Sequence, residues 1–156
     1  MGRKQRGFSL IELLIVVGII LIIAAIAIPN FIRAKISANE ASAVTSMHAV
    51  ATSEIGYSSV YPQVGFSSNL SDLGPGAANT CTPTAACFLD ATLASGKKSG
   101  YMFAYVGDGQ TPSMAYALQA NPQYYGLSGQ VSYYADETNA IHYNPTSTAG
   151  PSDPTL

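Results

Sequence analysis

Residues 7–30 read GFSLIELLIVVGIILIIAAIAIPN, and between Phe8 and Ile28 only Ser9, Glu12 and Gly18 interrupt an apolar run of 21 residues. At about 1.5 Å per residue such a run makes a helix of about 30 Å, the thickness of a bilayer's hydrocarbon core. Many of its residues are β-branched, which in water would suggest a strand. In lipid a lone segment has to satisfy its backbone internally, so it is helical. The cluster Arg3-Lys4-Gln5-Arg6 precedes it. By the positive-inside rule the amino terminus then lies in the cytoplasm and the remainder outside it.

The rest of the 156-residue chain is different in character. Its 47% hydrophobic composition averages the apolar run with a Tyr-, Ala-, Ser- and Gly-rich soluble module. Beyond Ile36 only Lys97 and Lys98 stand against eight acids, a formal charge of −6. That balance repels phosphate backbones and argues against nucleic acid as a partner. No Ser/His/Asp set, metal cluster or Gly-rich phosphate loop is present, so the sequence does not read as an enzyme. His48 falls beside an apolar helical stripe and His142 in a strand pattern, and neither has a partner at metal-ligand spacing.

A secretory signal peptide is the alternative reading of the amino terminus, with Ala25-Ile26-Ala27 as an A-x-A cleavage site. Two features oppose it. Glu12 stands inside the apolar region, where a central acidic residue costs about 2.5–3.5 kcal/mol on insertion scales. Pro29 lies just beyond the candidate site, and the residues after it continue as a helix.

The combination of the basic leader, Gly7-Phe8-Ser9-Leu10-Ile11-Glu12, the apolar run and Ala27-Ile28-Pro29-Asn30-Phe31 closely resembles the class III signal of type IV prepilins and type II secretion pseudopilins. Ser9 stands where Thr is commoner. The resemblance covers about the first thirty residues and implies several things at once. A prepilin peptidase cuts between Gly7 and Phe8 and N-methylates Phe8, leaving the apolar helix on the mature chain. Glu12 and the new amine of Phe8 act in filament assembly. The fold implied is α+β, a long, partly transmembrane amino-terminal helix packed against a small antiparallel β-sheet. The function implied is a structural subunit of an extracellular pilus-like filament serving motility, adhesion and surface attachment, most like a major type IVa-like pilin. The alternative is a major pseudopilin of a type II secretion system. The partners implied are other copies of the chain, the peptidase, a pilus or secretion assembly platform, and membrane lipid before assembly. The precursor is then a single-pass inner-membrane protein, and the product a surface filament or a periplasmic pseudopilus.

The organisation along the chain follows. Residues 1–7 form a cleaved leader and 8–29 the membrane and filament-core helix, with helix kinks expected at Pro29 and Gly18. Residues 30–58 continue as an amphipathic helix, because Phe31, Ile32, Ile36, Val44, Met47, Ala51 and Ile55 recur at three- and four-residue spacings. Gly18 and the neighbouring alanines offer surfaces for close helix approach. Residues 59–100 are loop-like, with turn signals at Tyr61-Pro62 and Gly74-Pro75-Gly76 and a short helix over Cys87–Ser95 stopped by Gly96. Outside the cytoplasm Cys81 and Cys87 are expected to close a small disulfide loop. Residues 101–143 hold four alternating segments, 101–106, 114–118, 131–134 and 140–143, that predict an antiparallel meander. Asp136-Glu137-Thr138-Asn139 is its last hairpin turn. No cofactor is expected; a calcium ion near Asp136 and Glu137 is the alternative there and needs about six oxygen ligands. Residues 144–156 are Pro-, Ser- and Thr-rich, a surface arm or flexible tail.

Overall fold

The computed structural model describes residues 7–76 and 80–156. They fall into two units, one ending at Lys35 and the other spanning Ile36–Leu156. One helix, α1 (Leu10–Val60), runs through both without interruption at Pro29. Asn30 Nδ2 donates to the Ile26 carbonyl at 3.1 Å in the turn that contains this proline. The expected leader residues 1–6 lie outside the described residues.

In the first unit the large apolar side chains of α1 face outward. Leu10, Leu21, Ile26 and Phe31 are 63–81% exposed. The helix is long and apolar enough to cross a membrane. Chain from outside this unit has to cover that surface, or lipid does.

The second unit builds a core on the last half of α1. Ala43, Met47, Val50, Glu54 and Tyr57 are buried at alternating four- and three-residue spacings, the period that puts side chains on one helix face. Of the expected stripe Ile36, Met47 and Ala51 are buried, whereas Ile55 is 54% exposed and Glu54, outside it, is fully buried. A carboxylate occupies a core position that its polarity disguises. It is satisfied there: Ser67 donates to it from its backbone nitrogen at 2.9 Å and from its hydroxyl at 2.5 Å. Tyr105 in turn donates from its hydroxyl to the Ser67 carbonyl at 3.0 Å. The buried acid thus ties α1 to the chain that follows it and to the sheet.

Five strands form an antiparallel meander in sequence order: β1 (Lys97–Lys98), β2 (Tyr101–Gly107), β3 (Tyr116–Pro122), β4 (Ser132–Asp136) and β5 (Ile141–Asn144). Tyr116, Leu118, Ala120 and Pro122 alternate into the core along β3, as period-two side-chain geometry requires. The four expected strands are all present, but β3 starts two residues later and ends four residues later than 114–118. The Asp108 carboxylate takes the backbone nitrogens of Met114 and Ala115 into its turn. Pairing of Tyr101 with Pro122 then carries the strand past Leu118. β1, placed in the loop region by sequence, exists because Lys97 and Lys98 pair with Met102 and Tyr101. Its brevity and its lysines suit an exposed sheet edge.

Between α1 and β1 lie a 3-10 turn, Leu70–Leu73, and the short helix α2, Ala91–Ala94. The helix is shorter than the expected 87–95. Cys87 has φ 62° and cannot be helical, and Asp90 caps the first turn by accepting from Leu93 N at 2.9 Å. Gly96, at φ 79°, ends it as expected. The expected disulfide joins Cys81 and Cys87, with Cα atoms 5.6 Å apart.

The carboxyl-terminal segment is a docked arm rather than a flexible tail. Tyr143 N donates to the Pro154 carbonyl and Leu156 N to the Ile141 carbonyl, both at 2.9 Å, so the arm covers the edge of β5. Asp153 accepts from Asn144 Nδ2 and Gly150 N, and Ala149 is buried. Composition predicts solubility here, whereas unpaired β5 backbone groups supply the reason to fold.

Two measurements test this core. Replacing Glu54 with alanine strands both Ser67 donors and should destabilise the second unit by about 2–3 kcal/mol, with Glu54→Gln costing less; urea unfolding of the detergent-solubilised chain reads both. Burial also raises the phenol pKa values of Tyr101, Tyr105 and Tyr116, and pushes Tyr133 up to about 12. A folded pKa above the unfolded one means stability that is complete below the unfolded value and lost as pH rises through the folded one. The unit should therefore hold to about pH 10 and lose stability between about 10 and 12, phenolate absorbance rising in the same transition.

Candidate functional site

The segment that decides the fold also holds the candidate site. Gly7, Phe8 and Ser9 precede α1 in irregular conformation and all are exposed. The Gly7–Phe8 bond therefore lies outside the hydrogen-bonded helix, where a peptide can be drawn into a protease cleft. A Cβ on Gly7 would meet nothing within 4 Å, so the fold of this chain does not require glycine at that position. Phe8 is 78% exposed.

Glu12 sits in the first turn of α1, and its Oε2 accepts from the backbone nitrogen of Ser9 at 3.0 Å. The Ser9 carbonyl accepts from Leu13 N at 3.2 Å. Ser9-Leu10-Ile11-Glu12 is the S-x-x-E signature of a capping box, and Glu12 supplies its reaching-back half. Its negative charge also complements the positive end of the helix dipole. The Ser-x-x-Glu spacing alone signals this role. Within one chain the carboxylate holds Ser9 rather than Phe8, whose nitrogen is an uncharged amide in the uncut chain.

The other candidate residues are scattered. Pro29 and Gly18 lie within α1, and a Cβ on Gly18 would meet nothing within 4 Å, which leaves the helix surface open for a close neighbour. Cys81 and Cys87 are joined in the second unit. Asp136 Oδ1 accepts from Thr138 N and Thr138 Oγ1, and Asn139 N donates to the Asp136 carbonyl, which forms the expected turn. Among the described residues no group of three or more His, Cys, Asp or Glu is placed to hold a metal ion. His48 is exposed, and the His142 ring hydrogen-bonds with the Asp153 carbonyl.

The amino-terminal geometry has counterparts. A family described as the prokaryotic N-terminal methylation motif matches residues 2–28. Over this segment the chain is similar to proteins that carry that motif. The type IV major pilin protein PilA of Myxococcus xanthus is 51% identical over 51 residues, 33% of this chain and 23% of that protein. The type IV wide pilus major component PilA4 of Thermus thermophilus is 55% identical over 38 residues, 24% of this chain and 29% of that protein. The chain thus spans about a quarter of the length of the curated relatives it matches. No solved structure matches it. The apolar α1 and the methylation motif together fit a membrane-anchored precursor.

The amino-terminal segment yields a test of the cap. Glu12→Gln retains an oxygen that can accept from Ser9, whereas Glu12→Ala removes it. The alanine variant should fray the first turn, costing about 1 kcal/mol or less locally. Amide exchange at Ser9 through Leu13 in detergent micelles should accelerate in Glu12→Ala and much less in Glu12→Gln.

Proposed function

We propose that this chain is the structural subunit of an extracellular type IV pilus-like filament, assembled from the inner membrane. The observation that carries the reading is an apolar α1 face left uncovered over Leu10–Ile28, with Glu12 in its first turn and an accessible Gly7–Phe8 bond just before it. Lipid covers that face in the precursor, with the amino terminus cytoplasmic. Other copies of the same helix cover it in the filament.

In this reading a prepilin peptidase hydrolyses the Gly7–Phe8 bond and methylates the amine of Phe8. Cleavage gives the helix a positive terminus four residues before Glu12. Glu12 then exchanges an amide hydrogen bond for a charge-assisted one to an ammonium, the stronger kind. In a dry core of packed helices a carboxylate has to be paired. A Phe8 amine from a neighbouring copy supplies that pair and fixes the axial register, since a misplaced subunit leaves a buried charge alone. An assembly platform in the inner membrane supplies the extraction step.

A pseudopilus of a type II secretion system uses the same steps. The relatives from Myxococcus xanthus and Thermus thermophilus, both major pilus components, weigh toward the pilus.

The test is made on cells. Mass spectrometry of sheared surface fibres should find subunits beginning at methylated Phe8, and Glu12→Lys should still be cleaved after Gly7 yet give no fibres. Robust fibres from Glu12→Lys refute the pairing. Subunits that retain residues 1–7 in fibres refute the processing.

A further inference from the structure

The second unit leaves two apolar surfaces bare at opposite ends of its sheet. β3 begins at Tyr116, opposite Gly107, and ends at Pro122, opposite Tyr101. Seven residues of extended strand put its ends about 20 Å apart.

Beyond the Tyr116 end lies a groove of about 420 Å³ lined by Pro62, Phe66, Pro112 and Met114, with Glu137 also in its lining. Met114 is 72% exposed. Glu137 also lines an adjoining cleft with Asp108 and Asp136. Among the described residues no cation pairs with these three acids, since the one ion pair is Lys98 with Asp90.

Beyond the Pro122 end, the loop to β4 holds Tyr124, Tyr125 and Leu127 in solvent, 62%, 51% and 63% exposed. Gln123 N donates to the Gly100 carbonyl at 2.9 Å, which ties this loop to the β1–β2 turn. That turn follows Lys97 and Lys98, the only basic residues of the second unit. Lys97 is exposed, while Lys98 reaches Asp90 at 3.0 Å, and the nearby Glu40 is engaged by Gln130 N.

We infer that these surfaces are two halves of one contact between copies: Tyr124, Tyr125 and Leu127 of one copy seat in the Pro62–Phe66–Pro112–Met114 groove of the next, with Lys97 and Lys98 facing Asp136 and Glu137. The inference rests on the filament reading above and specifies how the heads of successive subunits meet. Aromatic anchors entering an apolar pocket with charges at its rim make an effective protein contact. The charges set its direction, because two copies meeting by their acidic ends repel. The head-to-tail arrangement, loop of one copy in the groove of the next, leaves one free half at each end of any finite chain of copies. Such a heterologous contact propagates as a fibre.

Cysteine cross-linking within assembled fibres tests it, because Cys81 and Cys87 are already joined to each other. The variant carrying both Met114→Cys and Tyr124→Cys should give a ladder of covalent dimers, trimers and longer species on mild oxidation, and neither single variant should. Fibres of the double variant without a ladder overturn the contact. Dimers from a single variant show a symmetric contact and also overturn it. Where the cysteine pair prevents assembly, charge exchange decides: Glu137→Lys alone should abolish fibres and Lys97→Glu added to it should restore them, and failure of that rescue overturns the proposal. Tyr124→Ser with Leu127→Ser that leaves fibre number unchanged, while lowering the share of precursor held in membranes, assigns the loop to lipid and overturns it too. Absence of fibres from the unmodified chain refutes the filament reading itself, whereas fibres without the cross-link refute this contact alone.

Discussion

An apolar helical face that its own chain does not cover is the constraint from which the rest follows. From Leu10 to Ile28 the large side chains of α1 have no partner within their unit. Water does not tolerate a surface of this extent in a lone molecule. Lipid or other copies have to supply the cover, and a subunit that exchanges one for the other is an assembling subunit. The single acid in this face is then a device as well as a cost. It caps its own helix, and in the proposed filament it would pair with the ammonium that cleavage before Phe8 would expose.

A second acid shows the same economy inside the head. Glu54 sits at a core position of the helical repeat and is held by both donors of Ser67. A buried carboxylate is stable only when its oxygens are satisfied. The chain after α1 is therefore obliged to fold back so that Ser67 reaches it, and Tyr105 fastens the same residue to β2. The loop after the helix is placed by polar satisfaction, while the sheet beyond it is placed by burial of Leu118, Ala120 and Phe103. The two devices differ in specificity: apolar packing tolerates sliding, and two hydrogen bonds to one carboxylate do not.

Much of this was legible. The apolar run, the four strands of the meander, the hairpin turn at Asp136–Asn139 and the Cys81–Cys87 bridge are local signals that need no distant partner to be read. The errors fall where the deciding partner is far along the chain. Glu54 was not read as core because Ser67 is thirteen residues away. The ends of β3 depend on its pairing with β2. The last residues looked like a soluble arm because nothing in their composition shows that the edge of β5 needs covering. The capping role of Glu12 is the exception, a three-residue relation written in the sequence as Ser9-x-x-Glu12.

Periodicity, apolar length and turn chemistry, all short-range properties, determined that this chain has a membrane-length helix and an α+β head. Which face of α1 turns inward, where the strands stop and what the carboxyl-terminal arm does were decided only by tertiary structure. Those outcomes depend on which backbone and side-chain groups find hydrogen-bond partners once distant segments meet, and a linear pattern carries no record of that meeting.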